Sequence, residues 1–223
     1  TRDILDRTCL SFLGSSASWF DVVVASNYRC GGGIEGIEAF GGSDLNDILN
    51  LIPLLANEPK ADTSRMGVYG FSRGGMMTYL LLRKSCQFKA AVVGGGPTDL
   101  LKWIPKRPEM ETYVYAELIP DYHNNKEVEL KKRSAIYWAD ELCPTTPLMI
   151  LHGSADWRVA PENALELLVK LFELKHPVRF LFLEGAQHSL AEFRQEARNS
   201  IRSFFDHYVK NENPLPDMEL HGR

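Results

Sequence analysis

Three residue types with one shared chemistry are spread along this chain. A serine stands between two glycines in Gly70-Phe71-Ser72-Arg73-Gly74, an acid, Asp156, sits in "HGSADWRV", and a histidine, His188, sits in "GAQHSL". A serine hydroxyl alone is a poor nucleophile and needs a neutral imidazole within hydrogen-bond reach to take its proton. A carboxylate must then hold the imidazole tautomer and stabilise the imidazolium. If the three converge, they can attack an ester or amide carbonyl through an acyl-enzyme. The bland readings are a turn serine, a turn or helix-capping aspartate and a surface histidine. Asp99, in "GGGPTDL", is a rival acid that could instead cap the segment after it, and Glu184 is expected to face solvent or a neighbour. His152, in a strand-end "HG", is expected to support its loop, and His123, His176, His207 and His221 read as surface or loop residues. No HExxH or other ligand spacing occurs, so no metal is expected.

The elements that must position these residues alternate. "FDVVVAS" (20–26), "MGVYGF" (66–71), "KAAVVGG" (89–95), "PLMILHG" (147–153) and "PVRFLFLEG" (177–185) read as strands. Helices are predicted over 44–57, with a kink at Pro53, and over 74–84, 161–175 and 191–210. Short apolar strands separated by helices predict a parallel sheet covered on both faces. In such a sheet, sites gather at the carboxyl ends of the strands, which is where Ser72, Asp99, Asp156 and His188 fall. The GxSxG pattern between a strand and a helix matches a nucleophile elbow. Its glycines leave room for a strained turn that lifts Ser72 clear and aims the Arg73 backbone N–H at a developing oxyanion. Between Asp99 and Cys143 no strand is visible, and a helical insertion of about residues 100–142 is expected. Its aromatic residues either form a local core or line an acyl pocket; Trp103, Tyr113, Tyr115 and, beside the acid, Trp157 are the substrate-binding candidates.

The chain has 223 residues, 44% apolar and 24% charged, enough for one globular domain over 1–210, with 211–223 a flexible tail. A net charge of −4 gives no footprint for nucleic acid or an anionic membrane, and no apolar run is long enough to span a bilayer. No signal peptide is visible, and Cys9, Cys30, Cys86 and Cys143 form no CxxC pair, so they are read as reduced and the protein as cytoplasmic.

The order serine, aspartate, histidine is that of the α/β-hydrolases. "NYRCGGGIEGIEAFGGSDLNDILNLIPLL", "YGFSRGGMMTYLLL", "LMILHGSADWRVAPENALEL" and "GAQHSL" resemble the catalytic domain of the prolyl oligopeptidase family, in its single-domain members without a β-propeller. The resemblance implies Ser72 as nucleophile, Asp156 as acid, His188 as base, no cofactor, and peptidase or esterase activity. Cys30 stands where the family usually has glycine. Ile4–Trp19 reads as the helix following the glycine-rich loop that donates the second oxyanion N–H. The N-terminal strands are therefore expected to be missing, with Tyr28 a candidate second donor and exposed strand edges a route to homo-oligomers. Small esters are expected over peptides, because no propeller selects short peptides and esters have the better leaving group. The alternatives are a serine peptidase of the prolyl oligopeptidase type, a hydrolase-fold binding protein weakened in catalysis, and acyl transfer to an acceptor other than water.

Overall fold

The computed structural model describes residues 22–26 and 36–222. The expected helix over Ile4–Trp19, Cys9, Tyr28 and Cys30 lie outside the described residues. The described chain forms a four-stranded parallel sheet in the order β1 (Met66–Phe71), β2 (Phe88–Gly94), β3 (Leu148–Gly153) and β4 (Val178–Leu183). The register aligns Phe71 with Gly94, Gly94 with Leu151, and Gly153 with Leu183, so the carboxyl ends share one edge.

Both faces are covered, as the near-continuous apolar runs require. On β2 and β3, Ala91, Val93, Leu148 and Ile150 pack against α3 (Arg73–Lys84), α6 (Glu162–Glu173) and the insertion. The alternate residues Ala90, Val92, Met149 and Leu151 pack against Ala197, Ile201, Phe204 and Phe205 of α7 (Arg194–Phe205). The insertion holds α4 (Leu100–Trp103), short helical turns over residues 108–118, and α5 (Tyr122–Lys132). Arg133, just after α5, is buried and donates to the carbonyls of Ala39 and Phe40, which fastens the insertion to the loop beside the serine.

Three expectations change and one is narrowed. Residues 22–26 of the expected first strand join no ladder among the described residues, and Val24 is exposed. The helix expected over 44–57 divides into α1 (Leu45–Leu49) and α2 (Leu51–Leu55). Pro53 has no N–H for the Leu49 carbonyl, and its ring crowds that carbonyl, so the break falls at Asn50, a turn before the proline. His176, expected at the surface or in a loop, lies in the loop before β4 and is buried there; burial lowers its pKa, and its ring nitrogen meets the Cys143 carbonyl at 3.2 Å. Cys86 and Cys143 are not reduced but joined in a disulfide, with Cα atoms 5.4 Å apart and 57 residues of separation. Closing a loop of that length removes unfolded-state entropy equivalent to about 4 kcal/mol. A Cys86→Ser variant is expected to lose up to about that much stability, as is the wild type under reductant. Urea titrations with and without reductant check this, and identical midpoints would contradict it.

Candidate active site

β1 meets α3 at Ser72, which adopts φ 55° and ψ −119°, a left-handed conformation that is strained for a residue with a side chain. The Ser72 N–H donates to the Gly94 carbonyl at 2.8 Å, and its own carbonyl accepts from the Gly75 N–H at 2.9 Å. These two bonds hold the turn from both sides. The room for it comes from Gly70 and Gly75. A Cβ at Gly70 would lie 2.0 Å from the Gly74 oxygen, and one at Gly75 would lie 2.7 Å from a Val93 methyl. Gly74, the second glycine of the motif, faces open space, so the close approach is one residue further on than the pattern implies. Arg73 is the first residue of α3, which places its backbone N–H in the helix N-terminal turn beside Ser72. Its guanidinium ion-pairs with Glu38 and with the fully buried Asp44 and lies over the Phe40 ring at 4.9 Å.

The loop after β3 presents Asp156. One carboxylate oxygen, Oδ1, accepts from the backbone N–H groups of Arg158 and Val159, both at 2.9 Å. The other, Oδ2, lies 2.7 Å from His188 Nδ1. The loop after β4 presents His188, and the two loops are joined: Ser154 N–H donates to the Leu183 carbonyl and Ala155 N–H to the Ala186 carbonyl. His188 Nε2 is 2.9 Å from Ser72 Oγ. The Phe71 ring flanks the imidazole at 5.1 Å, and the Gly95 backbone, at φ 52°, leaves only 3.3 Å for a Cβ against the ring. A carboxylate, an imidazole and a hydroxyl thus form one hydrogen-bonded line from strand-end loops that are distant in sequence. Such a line can move a proton from the hydroxyl as it attacks a carbonyl.

Burial alone would raise the Asp156 pKa. The nearby His152 ring nitrogen and hydrogen bonds from His188 and the Val159 N–H outweigh it and hold the carboxyl well below the ordinary value of 3.8. A carboxyl whose pKa is depressed on folding contributes stability above its unfolded value and loses it as pH falls through the folded one. The contribution is therefore complete above about pH 5 and declines on further acidification. The stability difference between wild type and Asp156→Asn is expected to shrink between pH 6 and pH 2 in urea titrations; a difference constant across that range would contradict this.

Asp99 caps α4, accepting from the Lys102 N–H at 3.1 Å and the Tyr137 hydroxyl at 3.2 Å, while Glu184 is exposed. Of the substrate-binding candidates, Trp103 and Tyr115 are buried in the core that the insertion shares with α3, so they are not available to line a pocket. Tyr113 and Trp157 are exposed, and the guanidinium groups of Arg107 and Arg158 lie 5.3 and 5.5 Å from the Trp157 ring. The contacts of Gly95 and Phe71 with His188 have no motif of their own. The run Gly94-Gly95-Gly96 after a strand was the available signal for a close approach.

The sheet, the strained serine turn and the order of the three side chains define an α/β-hydrolase fold with a serine-hydrolase arrangement. Residues 18–212 match the prolyl oligopeptidase family, and the chain belongs to that family. It is 29% identical over 178 residues to the uncharacterized peptidase YuxL of Bacillus subtilis (strain 168), covering 76% of this chain and 26% of that protein. It is 27% identical over 168 residues to the uncharacterized peptidase YtmA of the same strain, covering 75% of this chain and 64% of that protein. The chain therefore spans about a quarter of the first relative and less than two thirds of the second. Among solved structures it is similar to an acylaminoacyl peptidase in complex with Z-Gly-Gly-Phe-chloromethyl ketone. The TM-score is 0.70 and the identity 25%, covering 82% of this chain and 30% of that one. The uncomplexed acylaminoacyl peptidase of Pyrococcus horikoshii is also similar, with a TM-score of 0.66, 25% identity, and coverage of 78% and 29%. Among the described residues no helix is long and apolar enough to cross a membrane.

Proposed function

We propose that this chain is the hydrolase unit of a serine peptidase that cleaves short peptides or aminoacyl amides through an acyl-enzyme. His188 takes the Ser72 proton as Oγ attacks the carbonyl carbon. The Arg73 N–H donates to the oxyanion, and Asp156 stabilises the imidazolium. His188 then protonates the leaving amine, and water repeats the sequence in reverse. The observation that carries this reading is the unbroken line from Asp156 Oδ2 through His188 to Ser72 Oγ, at 2.7 and 2.9 Å.

The preference for small esters is not retained. It rested on the lack of a propeller and on the better leaving group of esters; a chain spanning a quarter of a relative's length carries no inference from a propeller, and leaving-group ability does not distinguish what a site selects. The relatives are named as peptidases, and the family takes its name from an oligopeptidase. The test compares an aminoacyl-p-nitroanilide with a short-chain p-nitrophenyl ester. Anilide cleavage that disappears in Ser72→Ala supports the peptidase. Ester turnover with anilide cleavage no faster than in Ser72→Ala would overturn it in favour of an esterase.

A further inference from the structure

We propose that His152 is a positioning residue for the acid: a single imidazole N–H at the end of β3 secures the loop that carries Asp156. The inference rests on Ser72, Asp156 and His188 being the catalytic residues. His152 shares the strand parity of Leu148 and Ile150, so it projects to the α6 side of the sheet, where it is fully buried. Its Nε2 lies 2.9 Å from the Val159 carbonyl. A carbonyl only accepts, so Nε2 carries the ring proton. The same nitrogen is 3.4 Å from Asp156 Oδ2, the oxygen that faces His188.

Val159 connects the two contacts. Its N–H donates to Asp156 Oδ1, its carbonyl accepts from His152, and it is buried, so water cannot replace the imidazole. His152 Nδ1 is buried and has no hydrogen-bond partner. A sealed ring with one bare nitrogen neither exchanges protons with substrate nor adds packing that an apolar side chain would lack. What it supplies is a donor from a rigid strand, and the line continues through Asp156 and His188 to Ser72. Without that donor, Oδ2 loses one of its two flanking ring nitrogens, and the far end of the loop loses its tie to β3.

The test uses the full chain with His152→Leu, which keeps bulk but no donor, and His152→Gln, whose side-chain amide nitrogen reaches the Nε2 position. His152→Leu is expected to lower kcat about 10- to 100-fold, as small misplacements of catalytic groups do. KM is expected to stay within about 2-fold, and His152→Gln to recover most of kcat. Should His152→Leu fail to fold, His152→Asn, whose amide is too short to reach, is expected to lose kcat in its place. A folded His152→Leu with wild-type kcat overturns the proposal, as does a His152→Gln as impaired as His152→Leu. A wild type that neither turns over substrate nor labels with a fluorophosphonate overturns the underlying triad, and this proposal with it.

Discussion

Replacing His188 with alanine is expected to lower kcat by about 10⁴-fold or more, with little change in KM or in folding stability. The size follows from its place in the line. His188 Nε2 is 2.9 Å from Ser72 Oγ, and without it the hydroxyl keeps its proton as it attacks. The small structural effect follows from how the acid loop is held. Asp156 still accepts from the Arg158 and Val159 N–H groups and still has His152 beside it, so the carboxylate is not orphaned. The alanine leaves a gap beside Phe71 at the edge of the sheet rather than in its centre. Initial rates on the anilide substrate, with circular dichroism as the folding control, check this. A folded variant within 10-fold of wild type would remove His188 from the mechanism.

Gly70→Ala is expected to destabilise the fold by about 3 kcal/mol or more, at the upper end for overpacking, whereas Gly74→Ala is tolerated. The two glycines flank the same serine, but their surroundings differ. A Gly70 Cβ would lie 2.0 Å from the Gly74 oxygen, 2.4 Å from its carbonyl carbon and 2.4 Å from Thr78 Oγ1. Two of those atoms are helix backbone and cannot retreat without opening the turn between β1 and α3. A Gly74 Cβ meets nothing within 4 Å and sits in a helix, where alanine is favoured by up to about 1 kcal/mol. Chemical denaturation of both variants decides the matter. Equal stabilities for Gly70→Ala and wild type would mean that the strand and helix do not approach as closely as described.

Much of this site was legible before the fold was known, for a physical reason. Parallel strands announce themselves as short apolar runs, and their carboxyl ends share one edge, so Ser72, Asp156 and His188 were narrowed to neighbouring loops by topology alone. Asp156 is chosen over Asp99 from the sequence through the family resemblance, and the structure gives the physical ground: Asp156 lies 2.7 Å from His188 Nδ1, whereas Asp99 accepts from the Lys102 N–H as a helix cap. The insertion was visible, but the roles of its aromatics were not. Tyr113 and Tyr115 are two residues apart, yet one is exposed and the other wholly buried in contact with Phe40, because a helical turn directs them to different sides. The disulfide was illegible, since two cysteines 57 residues apart carry no spacing signal. They meet because the Cys143 N–H docks on the Leu82 carbonyl of α3. Of the expected strand over 20–26, residues 22–26 join no ladder among the described residues: composition proposes a strand, but a neighbour completes one.

Catalysis depends on Ser72 being activated, and covalent labelling reads that state directly. The full chain is incubated with a fluorophosphonate and the adduct is mapped by peptide mass spectrometry. The predicted result is a single adduct on Ser72, absent in Ser72→Ala and slowed severely in His188→Ala. A folded wild type that takes up no probe, or label that persists in Ser72→Ala, would contradict the central claim.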